Sequence, residues 1–414
     1  KLPSVLLGMG VTGGAPDGVF GSLLPASYGD LQLVPDLDTL APRPGRPGEM
    51  TVLCEPAGRW FAPLYGREVA ASEFSPRATL RRVLAEFERA GLGVRVAPEL
   101  EMFLLQRHES MDGVRLEGAR PWPGAPVRES ACEQYSLERL THFEAYFDAL
   151  YAACAALGIP LAGHQHEAAF SQFELNFHPG APLAQADAVF RFKRLAREIA
   201  ARHGFLASFA AKPFLDQPGA GMHWHFSVQR LGTDLAWPHL FAEPDGRSTP
   251  ALTQFVAGLQ AGLPQAMALL APYDMSFERI TRSDASPTHA DWGEEDRHVA
   301  LRIPASGAAG RRVENRLPGG DVNPYLAVAV TLGLGLAGLR GALATSPGRH
   351  ESLRLPRSLP DALDQLQRGL LVRACLGDPL VDLFVALKRQ EHQERAAAAD
   401  PRQHWDLRHL VELA

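Results

Sequence analysis

Cysteine is scarce in this sequence. Cys54, Cys132, Cys154 and Cys375 stand far apart and form no C-x-x-C pair. That excludes a structural zinc site of the usual spacing and points to a reducing compartment, the cytoplasm. Long apolar runs are absent too. The longest, LAVAVTLGLGLAGL (326–339), is too short to span a bilayer and follows Asn323-Pro324, so a buried helix is expected. The opening KLPSVLLGMG has one lysine and too short an apolar stretch for a secretory leader. Positive charge is not in excess: 41 Lys and Arg face 47 Asp and Glu, which argues against nucleic acid or a membrane as the partner. A Walker-type phosphate loop is also missing. Gly8, Gly10 and Gly13 match G-x-G-x-x-G, as do Gly333, Gly335 and Gly338. The first set runs into APDGVFG and the second lies in an apolar helical run, so neither has the strand–turn–helix setting of a dinucleotide fingerprint.

At 414 residues the chain can bury a large core, and two domains are the natural expectation. Residues 1–74 are rich in Gly and Pro with short apolar runs such as LQLVP and MTVLC, which reads as a small β-rich unit. Ser75-Pro76 starts a helix, Leu80, Val83, Leu84 and Phe87 follow at helical spacing, and Gly91 ends it. Further helices are predicted at about 137–157 and 187–203, with two or more from 323 onward. RAAAAD (395–400) reads as helical surface.

PELEMFLL (98–105) raises the first chemical question. Successive strand residues alternate faces, so Glu99 and Glu101 share one side while Leu100, Met102 and Leu104 share the other. A solvated face is one reading of such a pair. A cation site is the other, because close carboxylates inside a protein need a partner to stay ionised. The pattern recurs. Gln172, Glu174, Asn176 and His178 share a face in SQFELNFH. His223, His225 and Ser227 do so in GMHWHFSV, and Arg312, Glu314 and Arg316 in RRVENRL. VALRIP sets Arg302 in another apolar strand, and Glu167 stands just before the second. Between 279 and 316 there are seven arginines and no lysine. Together these faces read more economically as the wall of a site for divalent cations and phosphates than as solvated strands.

DLQLVPDLDTL, PELEMFLL, HEAAFSQFELNF, AKPFLDQPGAGMHWHFSV, LRIP and RRVENRLPGGDVNPYLA follow one another in order. With them the chain resembles the glutamine synthetase superfamily from about residue 30 to the C-terminus, and most of all its γ-glutamylpolyamine (γ-glutamylputrescine) synthetase branch. The resemblance implies an α+β fold. A small N-terminal β-grasp domain (1–74, expected to be incomplete at its start) would precede a catalytic domain (75–414) with a curved antiparallel sheet and flanking helices. It implies two stacked hexameric rings with sites between neighbouring subunits. It also implies ATP and Mg²⁺ or Mn²⁺, with L-glutamate and an amine as substrates. By motif, Glu101, Glu167 and Glu174 would hold one metal, and Glu99, His223 and Glu314 the other. Arg279, Arg316 and the Gly219 backbone would grip glutamate, and Asp17 would match an amine-site aspartate. Arg297, Arg302 and Arg312 would face ATP phosphates with Ser227 near the nucleotide. Arg297, Glu167 and Arg279 would take part in catalysis.

The reaction so implied phosphorylates the γ-carboxylate of glutamate and lets an amine displace phosphate. Ala285 stands where the resemblance would put a flap glutamate that binds ammonium, and Pro218 where it would put Asn. A lost carboxylate weakens an ammonium site and a methyl leaves room for alkyl, so an alkylamine or polyamine is expected. Glutamine synthesis from ammonia, and a catalytically silent sensor or scaffold, are the alternatives.

Overall fold

The computed structural model describes residues 1–110, 113–120, 125, 128–232, 237–282, 286–341 and 353–412. The N-terminal part carries β1 (Leu2–Pro3), β2 (Asp30–Pro42), β3 (Met50–Ala57), β4 (Arg59–Ala62) and β5 (Arg67–Ala70). The first three form one sheet and the last two a hairpin. Then come α1 (Pro76–Arg89), β6 (Leu92–Ser110), β7 (Gly113–Gly118), α2 (Leu137–His142), α3 (Glu144–Ala156), β8 (Leu161–His166) and β9 (Gln172–Phe177). They are followed by α4 (Pro182–Arg202), β10 (Leu206–Ser208), β11 (Met222–Arg230), α5 (Pro250–Leu270), α6 (Asp274–Thr281), β12 (Trp292–Glu294), β13 (Leu301–Ile303) and β14 (Val313–Asn315). The chain ends on α7 (Pro324–Arg340), α8 (Leu359–Arg368), α9 (Leu370–Leu376), α10 (Asp378–Ala397) and a wide-turned helix, Pro401–Val411.

The large sheet runs β12-β13-β14-β11-β6-β9-β8, with β7 and β10 also on β6. It is antiparallel except for its β12–β13 edge pair. Its apolar face is the one the alternation predicts. Leu100, Met102, Leu104, Phe173, Leu175, Phe177, Met222, Trp224 and Phe226 are all buried, in one core with Phe87, Phe147, Val189, Phe192, Phe255 and Leu332 from the helices. Each such side chain contributes about 1.5–3 kcal/mol by leaving water. The opposite face carries the carboxylates, histidines and arginines.

Helix boundaries depart from the periodicity where tertiary contacts intervene. The predicted 137–157 helix is broken at Phe143 (φ −110, ψ 14), whose ring is drawn into the core against Phe173 and Phe205. α4 starts five residues before the predicted 187, because Pro182 occupies its first turn. Of RAAAAD, only residues 395–397 are helical. Asp400 instead caps the next helix, accepting from the backbone N–H groups of Arg402 and Gln403.

The second glycine set has a packing role. A Cβ on Gly338 would lie 2.1 Å from the Gln254 carbonyl, and one on Gly335 2.1 Å from the Phe255 ring. These glycines let α7 lie directly on α5, where Gly258 meets Gly338 in return. Arg77 of α1 ties the N-terminal sheet to this body. It donates to Asp36 at 2.7 Å, to Glu55 at 3.1 Å and twice to Asp187 at 2.8 Å.

Candidate active site

Strand register builds the site. Glu99 of β6 lies opposite His223 of β11 and Asn176 of β9. Glu101 faces Glu174, and Glu314 of β14 lies between His225 and Arg302. Five neighbouring strands, β13-β14-β11-β6-β9, therefore bring their polar residues together on one face.

Glu99, His225 and Glu314 offer ligand atoms within 4.8 Å of one another. His223 Nδ1 stands 3.9 Å from Glu99 and 3.7 Å from Glu314, which completes the group. Burial alone would raise Glu99, but hydrogen bonding to His223 and His225 pulls it well below the usual carboxylate range. Glu314 is also buried yet held low, by His223 and Arg316. It accepts from Arg302 at 2.8 Å and from Arg316 at 2.5 Å.

The other end of the face is electrostatically opposite. Burial, then the charges of Glu99, Glu101 and Glu167, push Glu174 up to about 8. Burial and Glu101 raise Glu167 in the same direction. Neutral amides keep the carboxylates in place: Gln165 Nε2 donates to Glu167 at 3.1 Å and to Glu174 at 3.0 Å. Gln172 Nε2 donates to Glu101 at 2.8 Å. Buried oxygens that repel one another and have few cationic partners fit a hard divalent cation.

His225 was not among the residues the sequence singled out for a role. Arg312 Nε donates to its Nδ1 at 3.1 Å, which leaves the ring proton on Nε2, donated to Glu99 Oε1 at 2.7 Å. The H-x-H alternation put both imidazoles on the right face but could not say which one reaches which carboxylate.

Two cavities flank the carboxylates. One, about 390 Å³, is lined by Glu99, Asn176, His225, Ser227, Arg312 and the 95–98 stretch. It opens at an irregularity in the sheet. Val96 exchanges 2.9 Å hydrogen bonds with Gly180 while Glu99 lies opposite Asn176, so three steps on β6 answer four on its neighbour. Pro98, with no N–H to offer, sits in that skipped stretch. The other cavity, about 250 Å³, joins Glu101, Glu167, His223, Gly219, Arg279 and Arg316, with Pro218, Ser286 and Pro287 in its wall. Burial lowers Arg279 from its usual value. Its guanidinium donates to the Leu317 carbonyl at 3.0 Å and approaches His223 Nε2 at 3.4 Å.

Residues 73–407 match the family model described as the glutamine synthetase catalytic domain. The chain belongs to the glutamine synthetase family. It is 31% identical to γ-glutamylputrescine synthetase PuuA of Escherichia coli (strain K12) over 369 residues, covering 87% of this chain and 75% of the relative. It is 30% identical to a glutamate–isopropylamine ligase of Pseudomonas sp over 424 residues, covering 100% and 88%. A glutamine synthetase of Methanococcus voltae is 28% identical, covering 93% and 84%. Among solved structures, a glutamine synthase homologue superposes with TM-score 0.78 at 26% identity, covering 97% of this chain and 88% of that one. A GmaS/ADP complex gives 0.75 at 26%, covering 95% and 89%. The chain is thus a carbon–nitrogen ligase of the glutamine synthetase type.

Against that family background, the expected residues are gathered unevenly. Glu99, Glu101, Glu167, Glu174, His223, Glu314, Gly219, Arg279, Arg302, Arg312, Arg316 and Ser227 lie on the shared face or in its cavities. Arg302 is engaged with Glu314 and Glu295. Arg297 is exposed in the turn between β12 and β13 and lines neither cavity. Asp17 is exposed in an N-terminal turn and lines neither. Ala285 lies outside the described residues. Among those described, no helix is long and apolar enough to cross a membrane.

Proposed function

We propose that the chain joins the γ-carboxylate of L-glutamate to an alkylamine or polyamine, with ATP converted to ADP and phosphate through a γ-glutamyl phosphate. The observation that carries this reading is the 250 Å³ cavity, in which two arginines and a glycine backbone meet three of the metal-type ligands. Arg279 and Arg316 suit the α-carboxylate of glutamate, since a guanidinium presents a planar fork to a carboxylate. The 390 Å³ cavity, with Ser227 and Arg312 in its wall, suits the nucleotide. Glu101, Glu167 and Glu174 would hold one Mg²⁺ or Mn²⁺, and Glu99, His223 and Glu314 a second. Bound there, the ions would neutralise charge on the transferring phosphoryl group.

An amine larger than ammonia is supported by Pro218 in the cavity wall, by Ala285 in the sequence beside Ser286 and Pro287, and by the names of the PuuA and isopropylamine-ligase relatives. In this reading 1–74 and 75–414 are separate domains and the chains assemble as stacked hexameric rings. Val34, Leu37, Leu40 and Met50 of the β2–β3 pair are exposed apolar side chains that a neighbouring chain could cover. The test is glutamate-dependent ADP release across a panel of amines with ammonia included. The expected result is turnover with one or more alkylamines or diamines well above that with ammonia. Ammonia as the best substrate would return the chain to glutamine synthesis. No release with any amine would make it a non-catalytic relative.

A further inference from the structure

The glutamate-side cavity has two walls built by different elements. α6 supplies Arg279, and the loop from Ala211 to Gly221 supplies Gly219. At Gly219 the walls touch: a Cβ there would lie 2.4 Å from the Ala211 carbonyl and 2.8 Å from Arg279 Cγ. Gly219 and Arg279 are therefore packed with no room for a side chain between them, and each wall comes from a different element.

A single guanidinium behind the site spans both. Glu278, the neighbour of Arg279 on α6, accepts from Arg402 and from Arg395, the latter at 3.3 Å. Arg402 Nη2 also donates to the carbonyls of Lys212 at 2.9 Å and Pro213 at 3.0 Å, the two residues after Ala211. The loop is closed on itself, since Lys212 Nζ donates to the Gln217 carbonyl just before Pro218-Gly219. Arg402 is oriented in turn by Asp400, whose carboxylate accepts its backbone N–H at 3.0 Å. Arg402 lines a different cavity, with Pro213, Phe214 and Met275.

We propose that Arg402 is a positioning residue for the glutamate subsite: it holds α6 and the 211–221 loop at the separation that lets Arg279 and the Gly219 backbone engage one substrate carboxylate. The proposal rests on reading the 250 Å³ cavity as the glutamate site.

The test uses the full chain and compares wild type with Arg402→Met and Arg402→Lys. KM for glutamate, KM for ATP and kcat are read from ADP release, and glutamate binding from calorimetry. In Arg402→Met the KM for glutamate should rise about tenfold, in line with the cost of sub-ångström misplacement, while the KM for ATP holds. Arg402→Lys keeps a charge near Glu278 but cannot fork to two carbonyls as well, so it should recover thermal stability without recovering the glutamate KM. If both KM values rise together as the melting temperature falls, Arg402 is merely structural and the proposal is wrong. Should Arg402→Met not fold, Glu278→Gln weakens the same span from the α6 side. An unchanged glutamate KM there overturns the idea, and a glutamate-selective rise supports it. Absence of ADP release by wild type with every amine would refute the substrate reading itself. Glutamate binding to wild type, weakened or not in Arg402→Met, would still decide the positioning role.

Discussion

Glu174 carries a prediction that can be worked through in numbers. Its side chain is almost fully buried, at 8% exposure. Burial, then Glu99, Glu101 and Glu167, push its carboxyl up to about 8. At pH 7 the group is therefore protonated in roughly nine molecules of ten. A divalent cation at this end of the face takes the carboxylate form, so binding must expel that proton. Titration calorimetry with Mg²⁺ in two buffers of different ionisation enthalpy should give a release from this group of about 0.9 proton at pH 7, falling to about 0.1 at pH 9. Glu167, raised in the same direction, adds to it. From this group alone, affinity should climb about fivefold between pH 7 and 8.

The same group makes stability depend on pH, with a definite sign. Its folded pKa lies above its unfolded one, so between the ordinary carboxylate range and about 8 the folded state binds more protons. Its contribution to the stability of the chelated protein then falls as pH rises through that window. An interval of this width corresponds to roughly 5 kcal/mol at full ionisation. The melting temperature in chelator should drop between about pH 5 and 8, and Mg²⁺ should restore most of it. Glu174→Gln, neutral throughout, should flatten the chelated profile and cut the proton release. Absence of proton release by wild type at pH 7, or a Glu174→Gln profile as steep as wild type, would refute the electrostatic account of the site.

Two further outcomes test the frame around the site. Arg77→Met should cost about 3–5 kcal/mol, read by urea unfolding, because Asp187 and its partners would lose a buried counter-charge; a loss under about 1 kcal/mol would mean the N-terminal sheet is not held this way. Gly338→Ala must push α7 off α5, since its Cβ would meet the Gln254 carbonyl at 2.1 Å. A loss of about 1–3 kcal/mol is expected, and a wild-type melting temperature would show that the helix pair is looser than described.

How much of this was legible in the chain depends on how local each feature is. The two faces of β6, β9 and β11 could be read because the side-chain period of a strand is two, and Leu100, Phe173 and Trp224 announce the buried side. Proline and serine at 75–76 marked α1 for the same local reason: Ser75 accepts from the Ala78 N–H. Register was not legible. That Glu99 lies opposite His223 and Glu101 opposite Glu174 is a pairing between distant segments, and a one-residue slip would turn each of these polar side chains into the core. The same gap separates His225 from Arg297: spacing says which face a residue occupies, and only the assembled sheet puts His225 against Glu99 and leaves Arg297 in an exposed turn. Arg402 is the extreme case. Its partners lie 124 to 190 residues away in sequence, and the DPRQHW stretch around it has no pattern that would separate it from other surface arginines. A site of this kind is thus legible in its clustered carboxylates, histidines and arginines, which stand at short spacing. The scaffold that sets their separation is not, because any residue able to span the distance would serve.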